Sequence, residues 1–178
     1  MITVSPIQDL TLARLRALGT LIRREIYTTR SEWVCQAAQR DGWYSDTRLR
    51  AIRDGIGSGA VSIWVGLVDG APKGVCWISN GNPDRLIFMF LVDSTLSAAD
   101  ALELADQIAI RGLTDVLADP YPGKRNLISH FPVGTPAATY ATLCGFRHHI
   151  VVTTPDLTVD EWEIGIQELL DNITARRG

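Results

Sequence analysis

Two apolar runs, Val61 to Val68 and Lys73 to Ser79, meet across Asp69-Gly70-Ala71-Pro72, and no other part of the chain constrains the fold as tightly. Asp-Gly between apolar runs supplies the positive-φ residues of a tight hairpin turn, so the two runs pair antiparallel as neighbours. Arg85 to Val92 follows a dense turn at Asn80 to Asp84 and is continuously apolar from Leu86. Such a run suits a central strand buried on both faces.

The remaining elements follow from periodicity. Met1 to Ser5, closed by Pro6, reads as a first strand. Leu10, Leu18, Leu21, Ile22 and Ile26 keep near-helical spacing over Gln8 to Tyr27. Asp46 is a good N-cap for a helix from Thr47 to about Ile56, ended by Gly55, Gly57 and Gly59. Ala98, Ala101, Leu102, Ala105, Ile108 and Ala109 predict a helix over Ser97 to Arg111 with Gly112 as its stop, and Thr114 to Ala118 as the next strand. Asp119 to Thr135 holds three prolines and two glycines and reads as a long functional loop. Ala137 to Cys144 is a short helix, and Phe146 to Thr153 a strand ended by Pro155. From Thr158 a terminal helix carries Val159, Trp162, Ile166, Leu169 or Leu170, and Ile173, with Thr158 and Glu161 as a capping box. The chain thus divides into a domain over 1–155 and an amphipathic helix over 156–178, which packs on that domain or presents Trp162, Ile166 and Leu169 to a protein partner.

Composition excludes several classes. At 46% hydrophobic and 21% charged residues the chain is an ordinary globular protein. No apolar run approaches the ~20 residues that span a bilayer. The amino terminus has neither a basic region nor an apolar core, so a cytoplasmic setting is the expectation. Three widely spaced cysteines fit reduced thiols. A net charge of −3 carries no strong nucleic-acid signal, although residues 1–60 hold nine arginines against six acids.

The order strand, two helices, three strands, helix, strand, helix, strand is similar to the core of the GNAT N-acetyltransferase superfamily, over roughly residues 1–153. The resemblance rests on the hairpin Val65 to Ile78, on the helix ending at Arg111-Gly112, and on Tyr140, Leu143, Gly145 and Phe146. That last block resembles the family's Tyr-x-x-Leu-Gly-Phe pattern with one residue, Cys144, inserted: either the helix end bulges or the tyrosine is displaced. The resemblance implies an α/β (α+β) fold, a mixed and mostly antiparallel sheet flanked by helices. It implies acetyl-CoA as cofactor, with its pantetheine arm lying between splayed fourth and fifth strands against the backbone of Leu91 and Val92. It also implies an amine acceptor, and Tyr140 as general acid for the departing thiolate.

The family's pyrophosphate loop, Arg/Gln-x-x-Gly-x-Gly/Ala, is missing: Val92 to Leu102 contains neither glycine nor basic residue. Ser94, Thr95 and Ser97 offer hydroxyls and amides to a phosphate instead. Asp93, Asp100 and Glu103 oppose it with negative charge, and Ser97 with Asp100 forms a capping-box-like pair.

The strand Arg85 to Val92 has no carboxylate to serve as base, which leaves Asp93 and Asp119 at strand ends, acting through a water or holding turns. Trp43, Tyr44 and Tyr121 are candidate substrate-binding aromatics, with core packing the alternative for the first pair. Lys124 and Arg125, beside Tyr121, suit a nucleotide or another protein. His130, His148 and His149 do not make a metal site, because adjacent histidines on a strand point to opposite faces. Two functions follow: an N-acyltransferase using acyl-coenzyme A, or a noncatalytic GNAT-like module acting as an assembly or adaptor protein, such as a virion component.

Overall fold

The hairpin organises the sheet. In the computed structural model, which describes residues 1–29, 32–42, 44–55, 61–80, 82–118, 124–154 and 157–178, β2 (Val61–Val68) and β3 (Ala71–Ser79) pair antiparallel. Asp69 and Gly70 turn between them with φ of 50° and 80°, the left-handed pair that a two-residue turn requires. β1 (Ile2–Pro6) joins the outer side of β2, and β4 (Leu86–Val92) pairs with β3 from Ile87 to Val92. With β5 (Asn126–His130), β6 (Arg147–Thr154) and β7 (Leu157–Gly165) they form one seven-stranded sheet in the order β1-β2-β3-β4-β5-β7-β6. Only β4 and β5 run parallel.

Alternation along the strands makes two cores. Val65, Val75, Met89 and Leu91 face α1 (Leu12–Thr29), which buries Leu15, Leu18, Ile22 and Ile26, with α2 (Glu32–Asp41) and α3 (Asp46–Arg53) alongside. Trp64, Cys76, Phe88 and Phe90 face α4 (Ala98–Ala118), α5 (Pro136–Leu143) and α6 (Ile166–Arg177). α4 lies close on the hairpin because Gly66 and Gly74 leave room for it. A Cβ at Gly66 would stand 2.6 Å from both Leu104 Cδ1 and Ile108 Cδ1.

Several expectations need correction. The helix begun at Ser97 continues through Gly112 to Ala118, absorbing the strand expected at Thr114 to Ala118. Gly112 serves packing, since a Cβ there would sit 3.1 Å from the Trp64 ring, and Leu113 and Val116 stay buried on the helical face. The long loop contains β5. The third correction is the largest: Leu157–Gly165 is a strand lying between β5 and β6, so the C-terminal segment is part of the sheet and the boundary at residue 155 does not separate a helix from a domain. Apolar residues at Val159, Trp162 and Ile166 fit helical steps, but Trp162 and Ile164 against Glu161 and Glu163 alternate as a strand. Trp162 is buried, stacked on Phe131 at 5.5 Å with its Nε1–H donating to Phe131 O at 3.0 Å, and Ile166 and Leu169 are core residues too. This stripe is committed to its own fold. The helical cap forms later, where Glu168 accepts from Gly165 N–H at 3.4 Å. At α3 the N-cap is Ser45, one residue earlier than expected.

Gly66→Ala should destabilise the protein by about 1–3 kcal/mol in urea denaturation. Ile108→Val, which removes one clashing methyl, should make the double variant less destabilised than the sum of the singles. A neutral Gly66→Ala contradicts the close approach of α4.

Candidate functional site

The parallel ladder between β4 and β5 is short. Leu86 pairs with Leu127 and Ile87 with Ile128, and beyond them the strands part. Asp93 N–H donates to Lys73 O at 2.8 Å, which fixes which edge of β4 each residue uses. Alternation then gives the backbone groups of Leu91 to β3 and turns those of Phe90 and Val92 towards the split. Of the two residues expected to offer backbone to a cofactor, Val92 is placed to do so and Leu91 is not. A cavity of about 520 Å³ opens here, walled by Phe90 and Val92, by Ala98, Ala101 and Ala105 of α4, and by Ala137 and Tyr140 of α5. Small alanines on α4 make the width, and among the described residues no charged side chain lines it.

At the outer end of β4, Asp93 is buried and heavily engaged. Lys73 Nζ donates to its Oδ2 at 2.7 Å, Arg24 Nη2 lies 2.7 Å from its Oδ1, and Thr95 donates both N–H and hydroxyl to Oδ1 at 2.9 and 2.6 Å. Burial pushes this carboxyl up, but hydrogen bonds from Lys73, Thr95 and Arg24 outweigh it and hold the group well below the usual carboxylate range. A carboxylate so stabilised is a weak base. The geometry corrects its expected catalytic part to that of a pivot for the turn between β4 and α4. The three hydroxyls expected to meet phosphate are also engaged: Ser94 donates to Glu25, Thr95 to Asp93 and Ser97 to Asp100. Ser97 Oγ in turn accepts from Asp100 N–H at 3.2 Å, as the sequence implied.

Tyr140 comes into the cleft by its ring. The helix end is regular, with Gly145 at φ 86° and Phe146 N–H donating to Ala141 O at 3.0 Å, so Cys144 makes no bulge and the tyrosine is displaced. One extra residue turns it by ~100° about the helix. Ala141 takes the place the family's pattern gives to tyrosine. The Tyr140 hydroxyl donates to Asp106 Oδ1 at 2.9 Å, and Arg176 of α6 also binds Asp106 while its Nη1 lies 3.6 Å from Cys144 Sγ. Burial first, then Cys144 and Asp106, push Tyr140 well above the ordinary phenol value.

The opposite face of the same strands is polar over β5 and β7. Glu161, buried on β7, binds Arg85 Nη1 at 2.6 Å and lies 3.2 Å from His130 Nε2. A recess of about 210 Å³ adjoins it over Ile87 and Met89, with Ile22, Trp77 and Arg48 among its walls. Tyr44 packs beside α1, 5.3 Å beneath the Arg23 guanidinium, and does not line that recess. Trp43, Asp119 and Tyr121 lie outside the described residues. His148 stacks near Trp162 and lies 2.7 Å from Asp160, and the described residues hold no metal-binding cluster.

The fold as a whole superposes on solved structures of other proteins. An N-acetyltransferase called PaiA from Thermoplasma acidophilum, in complex with coenzyme A, superposes with a TM-score of 0.67 at 11% identity, covering 93% of this chain and 99% of that one. An N-acetyltransferase from Staphylococcus aureus Mu50 gives 0.66 at 14% identity over 93% and 99%. RimJ of Mycobacterium smegmatis, in complex with CoA-disulfide, gives 0.63 at 13% identity over 99% and 89%. The fold is that of the GNAT N-acetyltransferases. No protein-family model and no curated protein matches the sequence. The GNAT architecture is therefore present here at 11–14% identity to these structures.

Asp106, Arg176 and the His130–Glu161 pair escaped the sequence reading. A single acid in the apolar stripe of Leu102, Ala105, Ala109 and Leu113 was the available signal for Asp106. Glu161 was hidden by reading its segment as helix.

Asp93→Asn should cost about 2–4 kcal/mol near neutral pH, discounted for its half-exposed cationic partners. The depressed carboxyl stabilises the fold above its unfolded value of ~3.9, and that contribution is lost as pH falls towards the folded value. Urea midpoints at pH 5 and pH 3 should therefore fall more for the wild type than for Asp93→Asn. Equal falls contradict the cluster.

Proposed function

We propose that this protein is an N-acyltransferase that draws an acetyl or other short acyl group from coenzyme A and passes it to an amine. The observation that carries the reading is the parting of β4 and β5 after Ile87 and Ile128 beside an apolar cavity, towards which Val92 turns its backbone groups. An extended chain with amide groups can add to that edge as a further strand would. The pantetheine arm of acetyl-CoA has this chemistry. Support also comes from the fold shared with proteins whose structures hold coenzyme A.

The two ends of the cofactor fit unequally. The arm meets alanines and an open strand edge. The diphosphate meets a turn whose hydroxyls already donate to Glu25, Asp93 and Asp100, and the cations Arg24 and Lys73 there are paired to Asp93. The first-turn amides of α4 remain as donors there. Once bound, the cofactor supplies a thioester whose acyl carbon is open to an amine. The chain's part is to exclude water through Phe90, Tyr140 and the α4 alanines, and to hold the acyl group at the floor of the split, where the opposite face admits the acceptor. Tyr140 walls the cleft. Its proton is committed to Asp106, so release to a thiolate requires that bond to exchange.

The binding itself is measured by calorimetry with acetyl-CoA and S-acetylpantetheine. Both should bind, with dissociation constants within about tenfold of each other, a difference of ~1.4 kcal/mol. No heat from either ligand with a folded sample overturns the reading and leaves the noncatalytic module in its place. Tyr140→Phe should lower turnover by less than about tenfold, whereas a working general acid is worth about a hundredfold or more.

A further inference from the structure

We propose that His130 is the base that takes the proton of the acceptor amine, and that Glu161, clamped by Arg85, is its positioning residue. The proposal rests on the acyltransferase reading and supplies what that reading lacks. β4 carries no carboxylate, and Asp93 is turned inward between Lys73 and Arg24.

Position comes first. Ser129 and Phe131 are buried, Phe131 in the core under α4 and α5, so alternation puts His130 on the other face of the sheet. The last rung between β4 and β5 is Ile87–Ile128, and His130 stands two residues beyond it. It therefore borders the mouth of the split on the face opposite Tyr140. An acceptor reaching the acyl carbon from that face passes this ring.

Charge comes second. His130 and Glu161 are direct cross-strand partners in the β5–β7 register. Glu161 is 6% exposed, and its two oxygens divide the work: Oε1 binds Arg85 at 2.6 Å while Oε2 faces His130 Nε2 at 3.2 Å. Arg85 pairs with one oxygen of the buried carboxylate, and the other oxygen lies where it attracts positive charge forming on the ring. On the same face stand Glu163, 3.7 Å from Arg85, Asn126, which donates to Glu163 at 2.7 Å, and from β6 His149 and Arg147, the cross-strand neighbours of Glu161 and Glu163, with Arg48 at the adjoining recess. Glu163 and Asn126 hold the arginine from behind.

The step balances without any other reactant. The ammonium form of the acceptor gives one proton to His130, which passes it to water. The freed nitrogen attacks the acyl carbon, the carbon–nitrogen bond forms, the carbon–sulfur bond breaks, and the second proton lost by nitrogen goes through solvent to the thiolate.

Proton NMR of the full chain follows the ring directly, with His130, His148 and His149 assigned by single Gln substitutions. In Glu161→Gln the His130 titration should move to lower pH by about one unit. Acetyl transfer from acetyl-CoA to n-propylamine, counted above the uncatalysed rate, should rise with pH along the NMR titration. In His130→Gln it should fall at least a hundredfold and lose that limb, with KM little changed. Hydroxylamine, already neutral near pH 7, should lose less than tenfold. An unmoved His130 titration in Glu161→Gln, an unchanged pH limb in His130→Gln, equal losses with both amines, or no transfer above background by a protein that binds acetyl-CoA overturns the proposal. Failure to bind acetyl-CoA overturns the acyltransferase reading itself.

Discussion

The structure depends on the place where two parallel strands stop pairing. After Ile87 and Ile128 the paired register of β4 and β5 ends, and aromatic side chains pack beyond it. Phe90 meets Tyr140 edge-on at 4.7 Å and Phe131 at 6.4 Å, while Phe131 stacks on Trp162 at 5.5 Å. Such contacts are each worth about 0.5–1.5 kcal/mol beyond the area they bury. Together they form a wedge contributed by β4, the end of β5, α5 and β7. Where the ladder ends beside an apolar cavity, an extended chain carrying amide groups has a strand edge to lie along.

The wedge also separates two chemical environments. On the side of α4 and α5 the cavity is apolar, and beside it Asp106 accepts from Tyr140 and Arg176. On the other side the same strands display Arg85, Glu161 and His130. Water-excluding walls meet ionisable groups across a single layer of sheet. α6 ties into the first environment through Arg176, whose Nε is buried without a hydrogen-bond partner, so the C-terminal helix helps to set where Tyr140 points.

The sequence was most legible where one signal had one meaning. Asp69-Gly70 and the apolar run of β4 gave the hairpin and the central strand, and Ser97 with Asp100 gave the start of α4. It misled where a local rule met a tertiary demand. Gly112 reads as a helix stop, but the Trp64 ring needs the missing side chain. Trp162 satisfies both helical and strand periods, and only pairing with β5 and β6 decides between them. At the site, Tyr140 is recognisable by type, whereas its partner Asp106 lies 34 positions away and cannot be paired with it from local pattern. The same holds for His130 and Glu161, 31 positions apart.

The central claim is that the β4–β5 split receives an extended acyl-carrying arm. Amide chemical shifts of the isotope-labelled protein, followed during addition of acetyl-CoA, test it most directly. The account predicts the largest changes at Phe90, Val92, Ala98 to Ala105 and Ala137 to Tyr140, with β1 and β2 unmoved. Changes confined to other surfaces, or none at saturating ligand, would contradict it.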